Sequence, residues 1–398
     1  MTQKKTTEYG YVESRGLYRK IIKDSAGKYI QITARTPERL EEKIAEYQRN
    51  TALSKTGKKN QLFCDYAQAW LDLHSSSIGY GTRVSYQSLL DAVIFPVLKG
   101  KRMLDIKPKD IQTVIASISD KSYSINKNAL LVLNQIFRFA CENKDVLKNP
   151  CEKISPGGIP QKSRTALTDE QVDVLLAAVK GLKAYPFCMI ALYAGLRREE
   201  ILGLKWDCVD LGKTPSITVK RALRFEHNRP VVSEKLKTKA SKRVIPIPTV
   251  LSSYLSELKE QSHSDYVISN SDNGPLSETQ FFRLWHAVKV RSTEERVYKT
   301  YANGKCIERK ITPQKGAKAR NNKHYYTIDF EVTPHILRHT YITSLLSAGV
   351  DVKTVQYLAG HEKSKITLDI YAHLKYNRPE QLIDKVRAVF PAEEVTEE

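Results

Sequence analysis

The sequence predicts a multidomain α+β chain: a small β-sheet-plus-helix N-terminal module, an all-α middle domain, and a mainly α C-terminal domain with a small antiparallel sheet. Three observations predict it. At 398 residues the chain exceeds what one hydrophobic core usually serves. Two polar stretches, ALSKTGKKNQ at 52–61 and PCEKISPGGIPQKSR at 150–164, interrupt the apolar pattern and read as linkers. Between them apolar residues recur at helical spacing, whereas short strand-like runs occur on either side. The expected divisions are residues 1–51, 62–150 and 165–398.

In the first division, GLYRKIIKD and KYIQITAR read as strands joined by a turn around Ser25-Ala26-Gly27. TPERLEEKIAEYQRN follows as a helix, with Thr36 as N-cap, Pro37 at N1 and Glu38 in the first turn. Residues 1–60 hold 14 basic and 7 acidic side chains, so the module is itself cationic. Its strands carry Arg15, Arg19, Lys20, Lys23, Lys28 and Arg35. A basic β-ribbon fits a DNA major groove; the plainer alternative is a solvated basic sheet.

In the second division, LFCDYAQAWLDLH, TRVSYQSLLDAVIFPVL, KPKDIQTVIASIS and SINKNALLVLNQIFRFACEN each carry apolar residues three or four apart and read as helices. Thr82 and Ser124 are the expected N-caps of two of them. In the third division Thr168, with Glu170 soon after, restarts helical structure. Helices are expected at 168–180, 184–204, 248–261, 277–290, 334–348, 352–359, 365–372 and 379–390. Two strands, PSITVKRALRF and KASKRVIPI, bracket a hairpin region. Residues 291–323 hold 10 basic and 3 acidic side chains with Tyr298 and Tyr301, and read either as a DNA-contacting insertion or as a disordered basic loop.

Composition narrows the function. Sixty-four Lys and Arg against 44 Asp and Glu give a net charge of +20, which points to a polyanionic partner. The chain has no apolar run of 18 residues, and its first residues lack the apolar core of a signal peptide, so a cytoplasmic, membrane-free protein is expected. Cys64, Cys141, Cys151, Cys188, Cys208 and Cys306 form no C-x-x-C pair and no zinc spacing, and read as reduced thiols.

Four patches of the third division carry candidate chemistry. ALYAGLRREEILGLKWDCVDL reads as a helix burying Leu192, Leu196 and Ile201, with Gly195 allowing close packing near Arg197. EKLKTKASKRVIPI is a lysine-rich strand edge. In TPHILRHTYITSLLSAGV, His335 and Arg338 lie i, i+3 on one helix face, and Pro334 marks a helix start whose N–H groups favour an anion. QYLAGHEKSKITLDIYAHL places His361 and Tyr371 ten residues apart. Alone, Arg197 reads as a surface charge and a single lysine as solvated. His335 and His339 could form an i, i+4 metal pair, but no glutamate adjoins His335 and no third ligand is evident.

Together these patches resemble the tyrosine recombinase (phage integrase) family, in the order Arg, Lys, His-x-x-Arg, His, Tyr. Arg197 in AGLRREE, His335 and Arg338 in HILRH, His361 in LAGH and Tyr371 in ITLDIYAHL match its boxes. LKTKASKRVIPI resembles the family's β-hairpin lysine segment; Lys237, which precedes Thr238, fits best, with Lys235 and Lys239 as alternatives. Glu200 matches the acidic residue that braces the arginine. Residues 62–150 look like the family's core-binding domain and the N-terminal module like its arm-binding domain. The chain is similar to integrases of conjugative transposons and temperate phages.

The resemblance implies strand cleavage by Tyr371 through a 3′-phosphotyrosine, with neither cofactor nor metal, during integration and excision of a mobile element. Arg197 and Arg338 would clamp the phosphate, Lys237 would protonate the leaving oxygen, His335 would take the tyrosine proton or bond the phosphate, and His361 would donate to a non-bridging oxygen. The implied partners are double-stranded DNA at attachment sites, three further copies in a homotetramer on synapsed DNA, and an excisionase or DNA-bending protein. Arg19 and Lys20 are the expected arm contacts, and Arg83, Tyr86 and Lys127 the expected core-site contacts. The amphipathic segment 379–390 packs either on its own domain or on a neighbouring subunit. A type IB topoisomerase-like enzyme and a DNA-binding protein with a fossil site are the competing classes.

Overall fold

The computed structural model describes residues 9–23, 29–55, 60–160, 165–234, 241–302, 305–319, 323–365 and 367–370. Mixed helix and small antiparallel sheets make up the fold, in two compact units, Met1–Lys162 and Ser163–Glu398.

The first unit opens with a three-stranded antiparallel sheet, β1 (Gly10–Val12), β2 (Leu17–Lys23) and β3 (Tyr29–Ala34), followed by α1 (Pro37–Lys55). β1 is an addition to the expected pair of strands; at three residues it is too short to display alternation. Thr36 caps α1, its Oγ1 accepting from the Arg39 amide at 3.3 Å. The helix runs into the expected linker as far as Lys55, because Ala52, Leu53 and Lys55 favour helix. Tyr18, Ile22, Ile32 and Ala34 form one sheet face and pack with Leu40 and Ile44 of α1. The expected turn at Ser25-Ala26-Gly27 lies outside the described residues.

Helices α2 (Phe63–His74), α3 (Tyr80–Leu89), α4 (Phe95–Leu98), α5 (Pro108–Ala116) and α6 (Tyr123–Glu142) complete this unit. α3 begins at Gly79, so Thr82 lies inside the helix, not at its N-cap; its N–H already donates to the Gly79 carbonyl at 2.9 Å. Ser124 likewise falls within α6, and Ser122 is the cap, its Oγ accepting from Ile125 N at 3.4 Å. A π-helical turn, Leu90–Ile94, joins α3 to α4 just ahead of Pro96, which has no N–H to donate. Phe63, Leu71, Leu90, Leu133 and Phe137 are fully buried, and the Phe63 and Phe137 rings stack at 5.7 Å.

The second unit is built around α8 (Tyr185–Tyr193), buried from Phe187 to Leu192 and packed against α12 (Pro334–Ser347), α7 (Asp169–Val179), α9 (Arg198–Leu202) and α10 (Thr249–Glu260). A helix apolar all round belongs in a core. α7 starts at a capping box of Thr168 with Gln171, at 3.3 and 3.0 Å. The helix expected at 184–204 is instead two helices, because Gly195 adopts a left-handed φ of 62° between them.

The strand expected at 215–225 divides as well. Its first half is β5 (Ser216–Val219), central in the antiparallel sheet β4 (Val209–Asp210), β5, β8 (Arg243–Pro246), and its second is β6 (Ala222–Glu226), paired with β7 (Arg229–Ser233). His227 and Asn228 both have positive φ and turn the β6–β7 hairpin. After α11 (Glu278–Lys289), the basic insertion contains a second hairpin, β9 (Arg296–Ala302) with β10 (Lys305–Ile311), where a featureless loop was one expectation. α13 (Val352–Ala359) follows α12, and the backbone is helical again at 364–365 and 367–370. The helix expected at 379–390 lies outside the described residues. Among the described residues no helix is long and apolar enough to cross a membrane.

Candidate active site

The chain break at Gly195 decides where Arg197 sits. Gly195 ends α8, a Cβ there would stand 2.1 Å from the Tyr341 ring of α12, and the chain then turns to place Arg197 at the N-cap of α9. Close packing at Gly195 is thus what the sequence suggested, with Tyr341 as the neighbour. Glu200, one turn into α9, accepts from the Arg197 amide at 2.8 Å and from Arg197 Nη1 at 2.7 Å. The guanidinium's Nη2 donates to the Gly360 carbonyl at 2.6 Å.

Arg338 enters from α12. It is 3% exposed, whereas His335, three residues earlier, is exposed, so the pair runs from the surface inward. Arg338 Nη1 donates to the Gly195 carbonyl at 2.5 Å and Nη2 to the Ala359 carbonyl. Burial, then the charge of Arg197, lowers its pKa to about 9, so it stays protonated at neutral pH.

A third arginine, absent from the sequence-based set, completes the cluster. Arg243 opens β8 with its guanidinium buried, its Nη1 and Nη2 forming a fork onto both Glu200 oxygens at 3.0 and 2.8 Å. Its Nε donates to the Leu358 carbonyl at 2.7 Å and its Nη1 also to the Ser241 carbonyl at 3.0 Å. The strand's alternation was the available signal: Ile245 faces inward, so Arg243, two residues before it, must too.

Leu358, Ala359 and Gly360, the last carbonyls of α13 and its left-handed cap, are therefore each held by a different arginine. These are the acceptors a helix end leaves unpaired, at the negative end of its dipole. Glu200 supplies the balancing anion. Burial raises its pKa, but hydrogen bonds and charge from Arg243 and then Arg197 outweigh that and hold it at about 2.

His361 follows at once. Its amide donates to the Gln356 carbonyl at 3.0 Å, Gln356 Nε2 returns a bond to the His361 carbonyl at 3.1 Å, and His361 Nδ1 lies 2.9 Å from Thr367 Oγ1. Burial, then the charges of Arg338, Arg197, Arg243 and His335, push its pKa down to about 3, so the ring is neutral in the free protein.

Arg197, Glu200, Arg338 and His361 thus converge, from α9, α12 and the end of α13. Lys235, Lys237, Lys239 and Tyr371 lie outside the described residues. Among the described residues no three His, Cys, Asp or Glu side chains gather as a metal-ligand set.

The expected DNA contacts are more scattered. Arg19 is exposed on the sheet face turned away from α1, whereas Lys20, one residue on, lies on the other face with its ammonium 5.2 Å from the Tyr9 ring centroid. Lys127 is exposed, Arg83 pairs with Asp72 at 3.4 Å, and Tyr86 stacks on Trp70 at 6.1 Å.

Comparison with known proteins places this geometry. The model of the phage integrase family matches residues 165–302 and 309–378, spanning the whole cluster, and that of the phage integrase central domain matches residues 63–156. The chain belongs to the phage integrase family. It is a tyrosine recombinase, an enzyme that rearranges DNA at specific sites. A tyrosine recombinase XerC-like protein of Caldanaerobacter subterraneus is 27% identical over 318 residues, covering 72% of this chain and 74% of that protein. The transposase from transposon Tn916 of Enterococcus faecalis is 26% identical over 353 residues, covering 85% and 80%. The fold is similar to that of the Tn1549 transposon integrase in complex with transposon right end DNA, with a TM-score of 0.64 at 19% identity over 82% of this chain and 99% of that one. A lambda integrase tetramer bound to a Holliday junction shares it at a TM-score of 0.56 and 15% identity, covering 93% and 96%.

Proposed function

We propose that the chain integrates and excises a mobile element by cutting DNA at attachment sites with Tyr371 and rejoining it in exchanged order. The observation that carries this reading is the convergence of Arg197 and Arg338 on adjacent carbonyls, Gly360 and Ala359, beside His361. Two guanidiniums side by side suit a phosphate whose non-bridging oxygens gain charge in the transition state. They take the place of the Mg²⁺ that many phosphoryl transfers use.

The Tyr371 oxygen attacks phosphorus and the 5′-oxygen leaves, so one ester replaces another and no energy source is consumed. A free phenol has a pKa of about 10, so making the phenolate at neutral pH costs roughly 4 kcal/mol, which the cationic cluster and a base offset. His335 accepts that proton or bonds the phosphate, His361 donates to a non-bridging oxygen, and Lys237 protonates the leaving 5′-oxygen, with Lys235 and Lys239 as its alternates. Attack by the 5′-hydroxyl of the partner strand reverses the step.

In this reading residues 1–51 bind arm-type DNA, 62–150 the core site and 165–398 carry out catalysis, with Arg19, Lys20, Arg83, Tyr86 and Lys127 contacting DNA. Four copies act on synapsed DNA, aided by an excisionase or DNA-bending protein. Support comes from the lambda integrase tetramer on a Holliday junction, whose fold this chain shares. The test is a nicked suicide duplex carrying candidate attachment sites. The chain is expected to form a covalent complex that Tyr371→Phe abolishes while DNA binding persists; adducts persisting in that variant would assign the nucleophile elsewhere.

A further inference from the structure

The mechanism gives His361 the part of a hydrogen-bond donor, and a neutral imidazole has one N–H to give. Which nitrogen carries it depends on what the other nitrogen meets. Here the other partner is visible. Thr367, fully buried, sits on the helical stretch 367–370 that leads towards Tyr371, and its Oγ1 is 2.9 Å from His361 Nδ1.

Two assignments fit that distance. Either Nδ1–H donates to the hydroxyl, or the hydroxyl donates to a bare Nδ1. In the first, the hydroxyl hydrogen needs an acceptor of its own inside the protein, and among the described residues Thr367 Oγ1 has no partner besides His361. An unsatisfied buried donor costs about 1–3 kcal/mol. In the second, the only hydrogen the hydroxyl has is used, and only an oxygen lone pair goes unused, which is the smaller loss. The backbone at His361 is already fixed by its reciprocal bonds with Gln356, so the Thr367 contact settles the ring alone.

We propose that Thr367 is a positioning residue for strand cleavage: its hydroxyl donates to His361 Nδ1 and keeps the imidazole proton on Nε2, where it is given to a non-bridging oxygen of the scissile phosphate. The inference rests on the recombinase reading and adds to it a residue that acts through His361. Thr367 lies four residues ahead of Tyr371 in the sequence.

Two measurements on the full chain test it. With ¹⁵N-labelled histidine, and the His361 resonances assigned by their loss in His361→Gln, the free protein should show Nε2 protonated and Nδ1 bare but hydrogen-bonded. An Nδ1–H tautomer overturns the proposal. In single-turnover cleavage of the suicide duplex, Thr367→Val should slow covalent-complex formation roughly tenfold, below the ~10²–10³-fold of losing a donor outright. DNA affinity should hold, and Thr367→Ser should restore the rate. In a His361→Ala background Thr367→Val should have no further effect, since it acts through that ring. An unchanged rate in Thr367→Val, or an equal loss in the His361→Ala background, overturns the proposal. Should the Val variant fail to fold, the wild-type resonances and the Ser variant still decide. A wild-type chain that never forms a covalent complex would sink the recombinase reading instead, and the tautomer would remain readable.

Discussion

The interior of the first unit, among the described residues, holds Asn126 as its buried polar side chain; the second unit encloses Glu200, Arg243, Arg338, His361 and Thr367. Asn126 donates to the Ile118 carbonyl at 2.9 Å and the Ser122 carbonyl at 3.2 Å, so its polarity serves a turn between two helices. The charges of the second unit close no turn that a neutral amide could not. Taking an ion out of water costs several kcal/mol, and a well-packed apolar set would fill the same space at less expense. On the proposed reading, what the charged interior supplies is a set of donors held in place before the reaction begins, where removal from water strengthens them. The contrast separates polarity kept for shape from polarity kept for chemistry.

The largest effect expected from that contrast is kinetic. Arg338→Ala should slow covalent-complex formation by about 10²–10³-fold, as loss of a transition-state donor does, while Asn126→Ala leaves the rate per folded molecule unchanged. A comparable loss in both would erase the distinction.

Stability should separate them next. Arg243→Met leaves the buried Glu200 with Arg197 as its remaining cation, and breaking a buried pair costs about 3–5 kcal/mol. Asn126→Ala should cost less, about 1–3 kcal/mol. Urea titration of each variant measures both, and equal midpoint shifts would contradict the difference.

Acid should then act on the second unit first. His361 is lowered to about 3 from an ordinary 6.5, so the unfolded chain takes up the proton earlier and stability declines as pH falls from 6.5 towards 3. Glu200 is lowered to about 2 from 4.5, so its contribution is complete above 4.5 and is lost as pH falls towards 2. A Tm series should show the decline beginning below pH 6.5, with His361→Gln flattening it between 6.5 and 4.5. A flat wild-type series over that range would contradict the neutral buried ring. The smallest effect lies in the first unit. Ser122→Ala, which removes a cap, should cost about 1 kcal/mol, and Thr82→Ala, inside a helix, should cost less than that.

Much of this was legible in the residues. Long amphipathic runs such as Tyr123–Glu142 announced their helices, and Thr36 and Thr168 announced their starts. What hid was local competition. Gly79 and Ser122 took the cap positions that Thr82 and Ser124 could have filled, because helix starts depend on where the preceding turn delivers the chain. The break at Gly195 was hidden inside a continuous apolar pattern, since a left-handed residue leaves periodicity intact on both sides. In the site, Arg197, Arg338, Glu200 and His361 were readable because their spacing follows a family pattern. Arg243 and Thr367 were not, because the first looked like one more basic residue in a lysine-rich run and the second bonds a ring six residues away in the sequence.

The hold of three guanidiniums on the closing carbonyls of α13 has a further consequence. The enzyme supplies its own counter-charge, from peptide dipoles and one carboxylate, so the like charges are kept together whether or not a duplex is present. Small ions compete well for exposed phosphate contacts and poorly for buried groups such as Arg243 and Arg338. Salt concentrations that strip such a protein from DNA are therefore expected to leave this assembly intact, and the grip on nucleic acid and the integrity of the scissile centre answer to different parts of the same +20 chain.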